Sequence, residues 1–315
     1  MDTQRQVSPK LQPWLENFNQ QMAALKAGGF KATPTNAREG LANLTRALVT
    51  DIPEIAWCQD DVIAGHAHDV PVRIYHPAPE TALPVLVYLH GGGHMAGSVT
   101  VYDPICRKLA HASQHVVVAV DYRLAPECPY PAGVRDACTV VKRVWPVLQG
   151  RGVHFTEELS LAGDSAGGAL CASVAHRAQF DAGIAIRSQT LIYPSLDYTM
   201  QLPSIAENAE GYLLERSKIE WYFDHYFLNA ENRRAASPLH MEFGARLPAT
   251  LVITAGFCPL RDEGLAYVGK VRQAGVEAEH FHLDDMIHAF INMEDLVTED
   301  CQAVYARIGR FLNRS

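Results

Sequence analysis

Five residues, Gly163-Asp164-Ser165-Ala166-Gly167, match the pattern G-x-S-x-G and follow the apolar run Leu159-Ser160-Leu161-Ala162. A serine set between small residues at the end of a buried strand can sit on a sharp turn into a helix, its Oγ held out toward a ligand. Oγ so held is suited to nucleophilic attack. The pattern alone is weak, because a glycine-rich turn needs no chemistry. It gains weight from His90-Gly91-Gly92-Gly93, which follows Val85-Leu86-Val87-Tyr88-Leu89. Consecutive glycines after a buried strand let backbone N–H groups approach a ligand, and two such donors can hold the oxyanion that forms when an acyl carbon is attacked.

Both motifs need a sheet to carry them, and the rest of the chain supplies one. Strand-like runs span Ile52 to Ile63, Val70 to Tyr75, Pro84 to Leu89 and His115 to Val120; the first two alternate and suit an antiparallel edge, the next two are continuously apolar and suit a central parallel sheet. A helix over Gly133 to Leu148, a strand at Leu159 to Ala162, a helix from Ser165 and a strand at Ser188 to Tyr193 follow. Beyond them come a strand at Thr250 to Ala255, a helix over Asp262 to Ala274, a strand at Glu277 to His282 and a helix over Glu299 to Phe311. This alternation predicts an α/β, mostly parallel, doubly wound sheet whose ligands bind outside the carboxyl ends of its strands. Two stretches fall outside the pattern. Residues 1–50 read as helical, with Leu11, Trp14, Leu15 and Phe18 at helical spacing, and residues 199–247 are helical and rich in aromatics, including Tyr212, Trp221, Tyr222, Phe223 and Tyr226. Neither can join the sheet, so together they are expected to form a cap over its catalytic edge. The core would then comprise residues 51–198 and 248–315.

With 315 residues and 48% hydrophobic content the chain can bury a large core. A formal net charge of −8, without any basic block, argues against nucleic acid or an anionic membrane as partner. The start, Met1-Asp2-Thr3-Gln4-Arg5-Gln6, has no apolar targeting segment, and no run is long enough to span a membrane. Seven widely spaced cysteines without a C-x-x-C pair disfavour structural zinc and a disulfide framework, so a cytoplasmic location is the default.

Taken with Asp121-Tyr122-Arg123-Leu124-Ala125-Pro126-Glu127, the two glycine motifs resemble those of the hormone-sensitive-lipase family of α/β-hydrolase esterases. The resemblance runs from about residue 50 onward and includes Ala255-Gly256-Phe257 and Pro259-Leu260-Arg261-Asp262-Glu263. It implies an eight-stranded sheet with a helical cap, no cofactor or metal, and short- to medium-chain carboxylic esters as substrates; pairing of two copies through an edge strand is common among similar enzymes. Position by position, it implies Ser165 as nucleophile, His288 as base, and the N–H groups of Gly92, Gly93 and Ala166 as the oxyanion hole. It makes His90 a brace for the glycine loop and Asp121 with Arg123 an internal pair, and sets His94 at the site's mouth, for substrate contact or for packing. His280 and His282 lie in or at the end of a strand and are ordinary histidines on this reading.

One position departs from the pattern. The family's triad acid stands thirty residues before the histidine, and here that residue is Cys258. A thiol is largely neutral at pH 7 and a weak hydrogen-bonding group. In the serine-protease template, neutralising the acid costs about 10⁴-fold in turnover. The foremost replacement is Asp197, just past the preceding strand, because neighbouring strands lie about 4.8 Å apart. Asp262 and Glu263 at a helix start, Asp284 and Asp285 beside the histidine, and an acidless dyad are the alternatives. The leading function is therefore a serine carboxylesterase. Amide or carbamate hydrolysis would use the same residues, and the altered acid position admits a second class, a catalytically silent relative that binds small molecules.

Overall fold

The computed structural model describes residues 5–314; the reading of the first four residues lies outside it. Eight strands form one sheet in the order β1-β2-β4-β3-β5-β6-β7-β8. They are β1 (Trp57–Ile63), β2 (Val70–His76), β3 (Leu83–Leu89), β4 (Val116–Val120), β5 (Phe155–Asp164), β6 (Ser188–Ile192), β7 (Ala249–Phe257) and β8 (Ala278–Ile287). The pairs β1/β2 and β2/β4 are antiparallel and all later pairs parallel, as the switch from alternating to continuously apolar runs predicts.

The helices are α1 (Gln12–Ala27), α2 (Pro34–Leu48), α3 (Asp103–Ser113), α4 (Ala132–Gly150), α5 (Ala166–Ala178), α6 (Pro203–Glu207), α7 (Arg216–Tyr226), α8 (Arg233–Ala236), α9 (Arg261–Gln273) and α10 (Thr298–Leu312). Alternate residues of β3 divide the interior. Leu86 and Tyr88 pack in one cluster with residues of α3 and α10, whereas Val85, Val87 and Leu89 pack in another with residues of α4, α5 and α9. Helices on both faces leave only the strand ends open to a ligand.

The chain between β6 and β7 forms α6, α7 and α8, none of which enters the sheet. It meets α1, where Asn19 Nδ2 donates to the carbonyl of Gly211 at 2.9 Å and Lys26 pairs with Glu215 at 2.9 Å. Several strand boundaries differ from expectation, and β5 runs from Phe155 to Asp164. Residues 52–56 are not strand, and β8 continues five residues past His282 because β7 is also longer and the two stay paired through an irregularity to Phe257 and Ile287. Among the described residues no helix is long and apolar enough to cross a membrane.

Candidate active site

The turn from β5 into α5 carries Ser165 at φ 53° and ψ −119°, a backbone conformation rare for a residue with a side chain. Close packing enforces it. A Cβ on Gly167 would lie 1.9 Å from the carbonyl oxygen of Leu89, and one on Gly163 would lie 2.6 Å from Gly167, so only glycine lets this turn press against the end of β3. The strained turn aims the hydroxyl at His288, whose Nε2 lies 2.9 Å from Ser165 Oγ. Both are recessed, Ser165 being 9% exposed and His288 5%.

His288 follows the end of β8, and the chain then turns through Ala289, which has φ 62°. Alanine tolerates there a left-handed conformation that glycine would adopt freely. The next segment, Phe290–Leu296, is a 3-10 turn anchored at buried points: Asn292 Nδ2 donates to Thr45 Oγ1 at 3.1 Å, and Glu294 pairs with Lys108 of α3 at 2.8 Å. The Tyr193 ring lies 4.7 Å from the imidazole, centre to centre, and 5.3 Å from Phe290. Burial, with a smaller contribution from the Lys218 charge, lowers the imidazole pKa to about 3. The ring is therefore neutral across the physiological range, as a general base requires.

On the other side of the ring, Nδ1 faces Cys258 Sγ at 3.1 Å, and the same sulfur accepts the backbone N–H of Leu260 at 3.3 Å. Burial pushes the thiol pKa up, so Cys258 stays protonated. As an acceptor the sulfur permits the Nδ1–H tautomer that leaves Nε2 free to take the serine proton. A thiol can equally donate to Nδ1 and favour the opposite tautomer, so it does not lock the ring as a carboxylate would.

Asp197 does not fill that role, and the expectation is corrected. Its Oδ1 accepts from the N–H and hydroxyl of Thr199, at 3.0 and 2.6 Å, and lies 3.2 Å from His240 Nε2. Strands β6 and β7 are neighbours as supposed, but Asp197 stands five residues beyond β6, whereas Cys258 directly follows β7. Before reaching residue 197 the chain buries Leu196 in the cluster that contains Tyr267 and Val268 of α9. Glu263 holds it there, its Oε2 accepting the N–H groups of Leu196 and Asp197. Glu263 is thus a buried clamp, and burial raises its pKa well above the usual carboxylate range. Asp262 accepts from the N–H of Ser204 and pairs with Arg261; Asp284 pairs with His282.

The glycine loop after β3 lies beside the serine turn because β3 and β5 pair in parallel, Leu89 opposite Gly163. Gly92 and Gly93 have φ 118° and 64°, and among the described residues no hydrogen bond engages either N–H. Ala166 is the first residue of α5, where helix geometry leaves N–H groups without an internal partner. A feature missed in the sequence fixes the loop: the buried carboxylate of Asp164 accepts from the Gly91 N–H at 2.7 Å, Tyr88 hydroxyl at 2.7 Å and Tyr102 hydroxyl at 3.1 Å. Burial raises its pKa to about 6 against the opposing pull of those donors. A carboxylate inside the serine motif, with a tyrosine one residue before the end of the strand that leads into the glycine loop, was the available signal.

His90 braces the loop, its Nδ1 lying 2.8 Å from the Gly91 carbonyl and its ring stacking on Tyr122 at 4.4 Å. His94 packs, stacked on Tyr226 at 3.9 Å, and its Nε2 lies 3.2 Å from the Tyr198 hydroxyl. The supposed Asp121–Arg123 pair is a further correction. Arg123 binds Asp136 of α4 at 2.7 Å, while Asp121 accepts from the N–H of Val99 at 3.2 Å, because α4 presents a buried carboxylate directly to the arginine. His280 and His282 both lie 2.7 Å from Thr254 Oγ1, away from the serine. A groove between the N-terminal segment and Tyr212 has Phe257 in its wall but neither Ser165 nor His288, so it is distinct from this site.

A serine hydroxyl, a neutral imidazole and main-chain N–H groups in this arrangement suit acyl transfer, and known proteins of similar sequence and shape are esterases. A profile described as the alpha/beta hydrolase fold matches residues 86–292. Esterase LipI of Mycobacterium tuberculosis is 37% identical over 252 residues, covering 78% of this chain and 78% of that protein. Carboxylesterase NlhH of the same organism is 36% identical over 269 residues, covering 80% and 81%. The solved hyperthermophilic esterase of Pyrobaculum calidifontis superposes with a TM-score of 0.86 at 32% identity, covering 98% of each chain. The chain belongs to the hormone-sensitive-lipase-like family of the α/β-hydrolase fold and is an enzyme of its carboxylesterase class.

Proposed function

We propose that this carboxylesterase hydrolyses small carboxylic esters through an acyl-enzyme on Ser165, with His288 as the base and Cys258, not a relocated carboxylate, as the partner of the imidazole. The observation that carries the reading is the 2.9 Å approach of His288 Nε2 to Ser165 Oγ on a strained turn. As Oγ attacks the carbonyl carbon, its proton passes to Nε2. The negative charge that develops on the carbonyl oxygen takes hydrogen bonds from the N–H groups of Gly92, Gly93 and Ala166. Collapse of the tetrahedral species breaks the bond to the alcohol, which leaves with the proton from Nε2. A water molecule then gives its proton to Nε2, attacks the acyl carbon, and releases the acid as Oγ recovers a proton.

The N-terminal helices and the segment between β6 and β7 act as the cap in this reading, and short- to medium-chain acyl groups fit beneath it. Support comes from the cover over the loop itself. A Cβ at Gly93 would lie 2.6 Å from the ring of Tyr222 of α7, and one at Gly92 would lie 3.1 Å from Leu41 of α2. Hydrolysis of p-nitrophenyl butyrate by the wild-type chain and its Ser165→Ala variant tests the proposal. A fall of about 10³-fold or more is expected; retained activity in the variant would overturn it.

A further inference from the structure

The proposed oxyanion loop is gripped at both ends and less held between. Asp164 takes the Gly91 N–H at its start, and at its end the Ala125 N–H donates to the His94 carbonyl at 2.9 Å. Within it, the Gly92 carbonyl accepts from the N–H groups of Met95 and Ala96 at 3.1 and 2.9 Å, which sets the tilt of the peptide plane that also carries the Gly93 N–H. The place of that plane above Ser165 is another matter. Among the described residues Gly93 makes no hydrogen bond through its own N–H or carbonyl, and glycine is the residue whose backbone moves most readily.

Helix α7 supplies what the loop lacks. A Cβ on Gly93 would lie 2.6, 2.7 and 2.8 Å from Cγ, Cδ2 and Cδ1 of Tyr222, near-equal distances that lay the face of the ring across the glycine. Ring carbons make this contact, not the hydroxyl. Tyr226 stands four residues on, hence on the same face of the helix, and its ring stacks on His94 at 3.9 Å with the planes 4° apart. Two rings one turn apart thus press on two consecutive loop residues, both at positive φ, 64° and 60°. The helix is itself anchored, since the Tyr226 carbonyl accepts the N–H of Tyr130 at 2.8 Å. On the esterase reading above, we propose that Tyr222 is a positioning residue for the oxyanion hole: its ring holds Gly93 at the height where the N–H meets the developing anion, and Tyr226 backs it through His94. A misplacement of about 1 Å can cost about 10²-fold in rate. Because the donor matters most once charge has formed, removing the ring should act on kcat more than on KM.

The test measures kcat and KM for p-nitrophenyl butyrate, and Ki for butyl trifluoromethyl ketone. The carbonyl carbon of that ketone takes Ser165 Oγ, the serine proton passes to His288 Nε2, and the carbonyl oxygen becomes the oxyanion, so its affinity reads the hole directly. Tyr222→Ala should lower kcat about 10- to 100-fold with KM within about three-fold, and raise Ki by the factor by which kcat/KM falls. Tyr222→Phe, which keeps the ring face, should stay within about two-fold of wild type in all three constants. Tyr222→Leu, apolar but without a flat face, should fall between them, and it carries the comparison where the alanine variant does not fold. Trp145→Ala removes a ring stacked on Phe155, at the end of β5 far from the serine; it should lower the midpoint in urea yet leave kcat and Ki within about two-fold. A rise in KM with kcat and Ki unchanged would make Tyr222 a wall of the substrate pocket and overturn the inference. So would a phenylalanine variant as impaired as the alanine one, or alanine and leucine variants indistinguishable from wild type. Each of these leaves hydrolysis by the wild type, and with it the esterase reading, intact. A wild type that does not hydrolyse p-nitrophenyl butyrate removes that reading, and the inference falls with it.

Discussion

The loops that leave β6 and β7 start side by side, yet they treat their polar residues in opposite ways. After β7 the chain delivers Cys258 at once, and the thiol meets His288 Nδ1 at 3.1 Å. After β6 it runs on for five residues, anchors on Glu263, and spends the carboxylate of Asp197 on Thr199 and His240. The better acid is on the wrong loop. Adjacency of two strands thus says little about which side chain reaches a neighbour, because a few residues of loop and one buried clamp decide where the chain goes.

The largest expected effect restores a charge on the β7 side. Cys258→Asp should raise kcat/KM for p-nitrophenyl butyrate by about 10²–10⁴-fold, since a carboxylate locks the Nδ1–H tautomer and stabilises the imidazolium. Its pH profile carries a sign. With His288 lowered to about 3, the wild-type base stays unprotonated as pH falls through the ordinary imidazole range, so activity should hold until strongly acidic conditions. A carboxylate beside Nδ1 favours the protonated ring, and the acid limb of the variant should move to higher pH. An unchanged rate and limb would mean that residue 258 does not act on the histidine.

On the β6 side the effect should be structural. Asp197→Asn is expected to cost about 1–3 kcal/mol of stability, read as a lower midpoint in urea, by weakening bonds to Thr199 and His240. Turnover at a temperature where the variant is folded should stay within about three-fold of wild type. A loss of orders of magnitude there would reinstate Asp197 as the partner of His288. Back on the β7 side, Cys258→Ala should change kcat/KM by less than about three-fold, because a neutral thiol contributes only a weak hydrogen bond.

The residues that could be recognised in the sequence were those whose surroundings are local. Ser165 and the glycine loop each directly follow a strand, so motif and fold coincide, and His288, which the family resemblance pointed to, lies just past the last strand. Contacts made across the fold were not legible. Arg123 finds Asp136 on α4, Glu263 reaches back to the β6 loop, and β8 extends past its apolar run because β7 keeps pairing with it.

Asp164 belongs to the turn that bears the nucleophile, yet its carboxylate grips the first glycine N–H of the neighbouring loop. The gap between the serine oxygen and the amides proposed to receive the anion is therefore inherited from the sheet, like the opening of a caliper set by its frame. Provided Tyr222 keeps its ring on Gly93, the helices above the site can be reshaped to admit bulkier or differently charged guests without altering that gauge. Remodelling there changes which molecules are admitted, and leaves the reach of the attack as it was.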